Sequence, residues 1–363
     1  MQAAIHEVKT ANREFNGSSR VAASNPPAAI TPEQFQVLTS AMEKAIENIV
    51  RQSQINEAIV RRLLALEKRV TEFANAAGAV ARGTAATSST AQAPAAAAPN
   101  AIPAGATNKD ALPMYMGDSL AMCRVLNSFR MYVDTRDTMF TPQILQHGMW
   151  EPAITRVFAQ SIKSGMTVVD VGANAGYYTL LAAVGVGAGG RVFAFEPEPR
   201  NLEILQRNLE LNGVCDRVTL SGKAALNERK TLELHQNPRN RGAHTLFLAD
   251  PAHSPFSRVK VETIALDDAI ESSVDFMKID AEGSEPLIFQ GMKKLLARSP
   301  QLKILMEFNT VTLRNAGVDP AGFLAILVKM GFTVKMITPQ ATLVPAAEQA
   351  LLAQQLSTLF LTR

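Results

Sequence analysis

The stretch from Met166 to Gly176 reads MTVVDVGANAG. Its first half is rich in β-branched residues, which predicts a buried β-strand. Its second half holds Gly172 and Gly176, which let the backbone turn sharply and approach a ligand closely. The apolar segment Tyr177–Val184 that follows predicts a helix. A strand, a glycine turn and a helix in this order indicate an α/β fold with a ligand site at the carboxyl end of the strand.

The rest of the chain after this loop keeps alternating between strand and helix patterns. The further core strands are predicted at Arg191–Glu196, Val218–Leu220, Val274–Ile279, Leu302–Glu307, Phe332–Ile337 and Thr358–Leu361. Such alternation predicts a mainly parallel sheet with helices on both faces, and the last two strands are candidates for an antiparallel edge. Residues 230–265 differ, because two alternating segments predict an antiparallel hairpin around a polar excursion.

Two acids stand where the first two predicted strands end. Asp170 lies two residues before the first glycine, and Glu196 ends the next strand and is followed by Pro197. The glycine spacing does not match the G-x-G-x-x-G of dinucleotide-binding dehydrogenases, and Asp170 would repel a pyrophosphate. Asp170 suits an amino group, directly or through water, and Glu196 can accept both hydroxyls of a ribose. The pair predicts a site for a nucleoside without phosphates. The alternative is that Asp170 caps a helix and Glu196 is a solvated strand end.

The loop resembles motif I of the class I S-adenosylmethionine-dependent methyltransferases, and its amino-acid sequence is similar to that of the FkbM family. The matching blocks are DVGANAGYYT (170–179), FEPEPRN (195–201), VDFMKIDAEGSE (274–285) with Gly291, and PQLKILME (300–307). The resemblance covers residues 131–334. It implies a Rossmann-like seven-stranded sheet, S-adenosylmethionine as the cofactor, and O-methylation of a hydroxyl, often on a sugar or polyketide. It also implies that Gly172, Asn174, Gly176 and Glu196 belong to the cofactor site.

An alcohol acceptor must lose its proton as the methyl group is transferred, so a positioned base is expected. Asp280 ends the fourth predicted core strand and Glu282 follows it; both are candidates for orienting the acceptor or removing its proton. The alternative is that they favour the positive end of a helix dipole. His147 is another candidate base because histidine titrates near neutral pH, and a structural role is the alternative. Lys278 shares a strand face with Asp280, which predicts an ion pair rather than catalysis.

Several further residues are expected near the acceptor or on the surface. His147, Trp150 and Glu151 precede the first core strand and are candidates to line the acceptor site. The polar excursion at 239–244, which ends in His244, is expected to be a mobile loop of the kind that often selects substrates, with a surface position favoured for any single residue of it.

No metal site is predicted, and a metal-dependent O-methyltransferase is the alternative. Asp280 and the pair Asp267 and Asp268 are carboxylates that magnesium accepts as ligands, but no constellation of ligands stands out. Asp267 is expected to cap the short helix after Leu266.

Residues 31–76 carry a heptad pattern that begins at a capping box. Ten of its twelve core positions are apolar, at 35, 38, 42, 45, 49, 59, 63, 66, 70 and 73. The two polar ones, Gln52 and Asn56, are of the kind that fixes register. The pattern predicts a coiled coil that makes the chain a homo-oligomer through residues 35–73; an amphipathic helix packed on its own domain is the alternative. Residues 1–30 are predicted to be a flexible tail and 77–110 a disordered Ala/Pro/Ser-rich linker. The domain is predicted at 111–363, with a cap at 111–164 and a Rossmann-like core at 165–363.

Composition limits the classes of function. Hydrophobic residues make up 47% and charged residues 19%, which allows a large core. The net charge of +3 disfavours nucleic acid as the main partner. The two cysteines predict no disulfide framework, and no signal pattern or membrane-spanning run is evident, so a soluble cytoplasmic protein is expected. The chain is therefore predicted to methylate a hydroxyl of a small molecule, preferably a saccharide or glycan precursor. Polyketide, lipid or protein acceptors, and a non-catalytic coiled-coil scaffold, are the alternatives.

Overall fold

The computed structural model describes residues 113–251 and 253–363. The predicted tail, coiled coil and linker (residues 1–30, 31–76 and 77–110) lie outside the described residues, and with them the predicted homo-oligomer. No helix in the described ranges is long and apolar enough to cross a membrane.

The described chain alternates strands and helices after an initial run of three strands. Its strands are β1 (Met114–Gly117), β2 (Leu120–Val125), β3 (Phe129–Asp134), β4 (Thr167–Val171), β5 (Arg191–Phe195), β6 (Val218–Ser221), β7 (Ala224–Leu226), β8 (Thr231–Gln236), β9 (Ser257–Ala265), β10 (Phe276–Ile279), β11 (Lys303–Asn309), β12 (Thr333–Ile337), β13 (Leu343–Pro345) and β14 (Leu356–Thr362). Its helices are α1 (Phe140–His147), α2 (Pro152–Ser161), α3 (Tyr177–Val186), α4 (Pro199–Leu211), α5 (Leu266–Ala269), α6 (Glu285–Gln290), α7 (Lys293–Arg298), α8 (Thr310–Asn315), α9 (Pro320–Lys329) and α10 (Glu348–Ala353). A short 3₁₀ turn spans Cys215–Arg217.

The central sheet has eight strands in the order β13-β12-β14-β11-β10-β4-β5-β6. It is mixed: the pairings from β11 to β6 are parallel, whereas β14 runs antiparallel to both of its neighbours and β13 antiparallel to β12. The predicted count of seven strands falls one short, because β13 has three residues and ends in Pro345, too few to show an alternating pattern. As expected, the last two predicted strands, β12 and β14, are antiparallel and lie at one end of the sheet, where the short β13 is added outside β12. The last strand, β14, lies between β11 and β12, and its Leu359 and Leu361 are fully buried.

A smaller sheet with the order β7-β9-β8 stands beside the central one. The predicted hairpin is confirmed, since β8 and β9 pair antiparallel from Thr231–Glu262 to Gln236–Ser257. The three-residue strand β7 joins β9 in parallel. Its residues Ala224 and Ala225 are thereby brought beside the candidate site.

The N-terminal part of the described chain is an antiparallel sheet, β1-β2-β3, followed by α1 and α2. Asparagine side chains of α4 bond to the backbone of β3: the N–H of Tyr132 donates to Oδ1 of Asn208 at 2.7 Å, and the carbonyl of Tyr132 accepts from Nδ2 at 3.0 Å. These bonds satisfy an edge of the sheet that would otherwise be unpaired. The cap is thereby fixed to the helix that follows β5.

Hydrophobic side chains cover both faces of the central sheet. Val168, Val192 and Phe276 pack on one face with α3, α4 and the N-terminal sheet. Val169, Met277 and Ile304 pack on the other with α6, α7 and α9. Successive strand residues face opposite ways, so one apolar run supplies both cores. Burial on two sides leaves the carboxyl ends of the strands as the place where polar groups can meet.

Candidate active site

The main cavity lies at the carboxyl ends of β4, β5 and β10, and the centre of a water molecule can reach about 60 Å³ of it. Its polar part is formed by Gly172, Asn174, Glu196, Asp280 and Glu282, and its apolar part by Pro197, Ala224, Ala225, Leu234 and Leu246. The structure therefore brings together the glycine loop, Glu196 with Pro197, and both predicted carboxylates that follow β10.

The glycine loop is held between β5 and β10. The N–H groups of Gly172 and Ala173 both donate to the carbonyl of Phe195, at 3.0 and 3.1 Å. Gly172 has a φ of 76°, and a Cβ there would overlap the carbonyl oxygen of Asp280 and lie 3.0 Å from its carbonyl carbon. Gly176, with a φ of 92°, is the N-cap of α3 and lines neither this cavity nor the adjoining one. Glycine at 172 is thus required both by the backbone conformation and by the close approach of β10.

Glu196 is almost completely buried and accepts one backbone hydrogen bond on each oxygen. Oε2 accepts from the N–H of Asn174 at 2.7 Å and Oε1 from the N–H of Glu198 at 2.9 Å. Burial raises the pKa of Glu196 to about 8; the two hydrogen bonds oppose the rise, and the charges of Glu198 and Asp170 add to it. A carboxylate oxygen can accept more than one hydrogen bond, so each oxygen keeps capacity for a ligand hydroxyl.

Asp170 does not take the ligand-facing position that its sequence context predicts. Its side chain is fully buried, is absent from the linings of both cavities, and accepts from Oγ1 of Thr179 at 2.6 Å. Burial raises its pKa, and the nearby Lys278 opposes that rise. The alternation of β4 turns Asp170 toward the same face as Val168, beneath α3, so it supports the start of that helix instead of a ligand.

Lys278 and Asp280 form the ion pair that the strand register predicts. Nζ of Lys278 lies 2.9 Å from Oδ2 of Asp280 and 4.9 Å from the ring centre of Tyr178. Burial alone would lower the pKa of Lys278, but the charges of Asp280 and Asp170 raise it, so the amine stays protonated. The side chain of Asp280 is 30% exposed.

Three carboxylates meet beyond β10. Oxygens of Asp280, Glu282 and Glu307 lie within 4.8 Å of one another. Burial raises the pKa of Glu282 to about 8, with the charges of Asp280 and Glu285 adding to it, and it raises that of Glu307 in the same way. Like charges this close favour shared protons. Sequence reasoning missed Glu307, although β10 and β11 pair as Ile279–Met306, so the next residues of the two strands are neighbours.

A second cavity adjoins the first and shares Gly172, Asn174 and Asp280 with it. Its other lining side chains are largely aromatic: Phe140, Trp150, Tyr177 and Tyr178, with Lys278. Trp150, which was expected to line the site of the methyl acceptor, thus lines this second cavity. Glu151 does not line this cavity, but its Oε2 accepts from the Tyr178 hydroxyl at 2.9 Å.

His147 is not brought to the site. It is the last residue of α1, its side chain is exposed, and it is absent from the linings of both cavities. The helix ends there because Gly148 adopts a left-handed conformation and turns the chain away.

The polar excursion after β8 lines the main cavity, in contrast to the surface position expected for its single residues. Arg241, Gly242, His244 and Leu246 are all in the lining. The N–H of Arg241 donates to Oδ2 of Asp137 at 2.6 Å, and its carbonyl accepts from Nδ2 of Asn201 at 2.8 Å. The prediction failed because these partners are distant in sequence.

Among the described residues, Asp267 and Asp268 belong to no cluster of three potential metal ligands, whereas Asp280, Glu282 and Glu307 form one. Asp267 accepts from the N–H groups of Lys294 and Leu295 at 2.9 and 2.7 Å, so it caps α7 and not the short helix that was expected. Asp268 is exposed and lies 3.8 Å from Arg229.

Comparison with known proteins identifies the domain. Residues 170–334 match the family model described as the methyltransferase FkbM domain. A curated relative, the tRNA wybutosine-synthesizing protein 2 homolog of Danio rerio, is 36% identical over 107 residues, which are 30% of this chain and 24% of that protein. The chain therefore spans about a quarter of that relative's length. The match confirms the predicted family for this part of the chain: residues 170–334 are a methyltransferase domain, of the kind that uses S-adenosylmethionine.

Solved structures are similar at low sequence identity. They include the methyltransferase FkbM of Methylobacillus flagellatus, at 17% identity, TM-score 0.33, and coverage of 62% of this chain and 56% of that one. The O-methyltransferase of Bacillus cereus in complex with SAH has 17% identity, TM-score 0.34, and coverages of 63% and 83%. The SAM-dependent O-methyltransferase of Thermotoga maritima has 15% identity, TM-score 0.34, and coverages of 59% and 66%.

Proposed function

We propose that this chain, which contains a methyltransferase FkbM domain, is an S-adenosylmethionine-dependent O-methyltransferase. Its acceptor offers a hydroxyl group, and a saccharide or glycan precursor is the preferred class. The observation that carries the proposal is the meeting of Glu196, the glycine loop and Asp280 at the carboxyl ends of β4, β5 and β10, inside the matched domain.

The residues present fit the cofactor. Glu196 keeps hydrogen-bonding capacity on both oxygens for the ribose hydroxyls, and Pro197, Ala224 and Leu234 offer the apolar surface that a flat base needs. Gly172 lines the cavity with its backbone alone. S-adenosylmethionine, when bound, supplies a methyl group on a positively charged sulfur.

Asp280 is placed to prepare the acceptor. It lines both cavities, so it lies between the proposed cofactor site and the aromatic cavity. Lys278 holds its Oδ2 at 2.9 Å, which leaves Oδ1 to accept the hydroxyl proton as the new bond forms. Glu282, with a pKa of about 8, is largely protonated near pH 7, so its carboxyl group suits the role of a hydrogen-bond donor to the molecule that receives the methyl group.

The second cavity favours an acceptor with both apolar and hydroxyl-bearing surfaces. Phe140, Trp150 and Tyr177 offer aromatic surface, and Lys278 with Asp280 offers polar groups. A sugar ring has apolar C–H faces and a rim of hydroxyls, so it matches this division. Polyketide, lipid and protein hydroxyls are the alternative acceptors, and an acceptor screen separates them.

The test is calorimetric titration of the full chain with S-adenosylmethionine. Glu196→Gln replaces one acceptor oxygen with an NH₂ group while preserving size, and Glu210→Gln is the matched control on the exposed face of α4. We expect micromolar binding by the wild type and the control, and at least tenfold weaker binding by Glu196→Gln, since a ribose hydroxyl that loses its buried acceptor costs about 1–3 kcal/mol. Absence of binding by a folded wild type would refute the proposal.

A further inference from the structure

Two nitrogens in the lining of the main cavity lack the hydrogen bonds that buried donors ordinarily make. His244 Nε2 and Arg241 Nε are both shielded from solvent and have no hydrogen-bond partner among the described residues. Both residues line the main cavity. Buried polar groups nearly always have a partner, so an unpaired donor beside a cavity points to a group that enters it.

The hydrogen bonding of His244 determines which nitrogen carries the proton. Its Nδ1 accepts from the N–H of Asn237 at 2.9 Å, so the neutral ring has its proton on Nε2. Burial lowers the pKa of His244 to about 4, and the charge of Arg241 adds to this effect while Asp137 opposes it. The ring is therefore neutral near pH 7 and offers one N–H donor.

The segment around His244 is held firmly enough to place this donor. The next residue, Thr245, exchanges two backbone hydrogen bonds with His235, at 2.9 and 3.1 Å. Its Oγ1 also donates to the carbonyl of Glu282 at 2.8 Å. On the other side, Arg241 is bonded to Asp137 and its guanidinium lies 3.6 Å from Asp134. Contacts on both sides restrict where the imidazole can lie.

The same cavity indicates which part of the ligand His244 meets. Glu196 suits the ribose, and the apolar residues Pro197, Ala224 and Leu246 suit the base beside it. Adenine carries ring nitrogens that accept hydrogen bonds, N3 and N7 among them. We propose that His244 Nε2–H donates a hydrogen bond to a ring nitrogen of the adenine of S-adenosylmethionine and so contributes to selection of the base. This inference rests on the proposed function.

A pair of substitutions separates the donor from a structural role. His244→Gln and His244→Met both lose the Nδ1 that Asn237 requires, but only the glutamine keeps an N–H donor near the position of Nε2. Titration of each full-length variant with S-adenosylhomocysteine should give about five- to tenfold weaker binding for the methionine variant, and about twofold weaker binding for the glutamine variant. Equal losses in both variants, or no loss in the methionine variant, would overturn the inference.

Deaza analogues of the ligand identify which adenine ring nitrogen accepts the hydrogen bond. This test on the wild type does not depend on whether a variant folds. The wild type should bind one of the 1-deaza, 3-deaza and 7-deaza analogues of S-adenosylhomocysteine about five- to tenfold more weakly than the parent, and His244→Met should lose that discrimination. Wild-type protein that binds all three as tightly as the parent would contradict the inference. Unchanged cofactor binding by His244→Met with a raised KM for the acceptor would contradict it too. Wild-type protein that binds no S-adenosylhomocysteine refutes instead the proposed function.

Discussion

Substitution of Gly172 by alanine tests the packing of the glycine loop against β10. A non-glycine residue at a φ of 76° costs about 1–2 kcal/mol. The new Cβ would also overlap the carbonyl oxygen of Asp280, and such overpacking against backbone costs about 1–3 kcal/mol more. We therefore expect Gly172→Ala to lower the free energy of unfolding by about 2–5 kcal/mol.

Gly165→Ala is the matched control. Gly165 has a φ of 83°, and a Cβ there meets nothing within 4 Å, so it carries only the conformational cost of about 1–2 kcal/mol. Urea unfolding followed by the fluorescence of Trp150, the only tryptophan, measures both variants. Cofactor binding should weaken at least tenfold in Gly172→Ala alone. Equal destabilisation by the two substitutions would refute the argument that the Asp280 backbone excludes a side chain at 172.

The remaining predictions concern the carboxylates. Raising the pH from 5 to 8 should lower the free energy of unfolding. Burial raises the pKa values of Glu196 and Glu282 from 4.5 to about 8 in the folded protein. Their contribution to the free energy of unfolding is therefore fully present below about pH 4.5 and is lost as the pH rises through about 8. Glu282→Gln should make that pH dependence shallower in urea unfolding; a steeper one would contradict the assignment. Asp280→Asn should lower kcat about 100-fold or more with the Kd for S-adenosylmethionine changed less than about threefold, and calorimetry that shows lost binding would argue against a role as base. Asp267→Ala should cost about 1 kcal/mol in thermal unfolding through loss of the α7 cap, whereas Asp268→Ala, at an exposed position, should cost nothing measurable.

The sequence predicts the central part of the domain because local patterns encode it. The strand before Gly172, the hairpin of β8 and β9, and Glu196 at the end of β5 all follow from short-range alternation and from the rule that ligands lie beyond parallel strand ends. The ion pair of Lys278 and Asp280 follows from their shared strand face. These features need no knowledge of residues distant along the chain.

Other features depend on contacts between distant segments and could not be predicted in this way. Asp170 was expected at the ligand, but only the placement of α3 over its face of β4 shows that it bonds to Thr179. The segment that holds Arg241 and His244 reads as a polar surface loop, and its partner Asp137 is 104 residues away. The eighth strand was missed because three residues are too few for a pattern.

The most direct test of the account is a crystal structure of the full chain with S-adenosylhomocysteine. We predict that the nucleoside lies in the main cavity, with its ribose hydroxyls donating to Glu196 and its base between Pro197 and Ala224. The homocysteine sulfur should then face Asp280 and the aromatic cavity. A nucleoside bound elsewhere, or one whose ribose makes no contact with Glu196, would contradict the account.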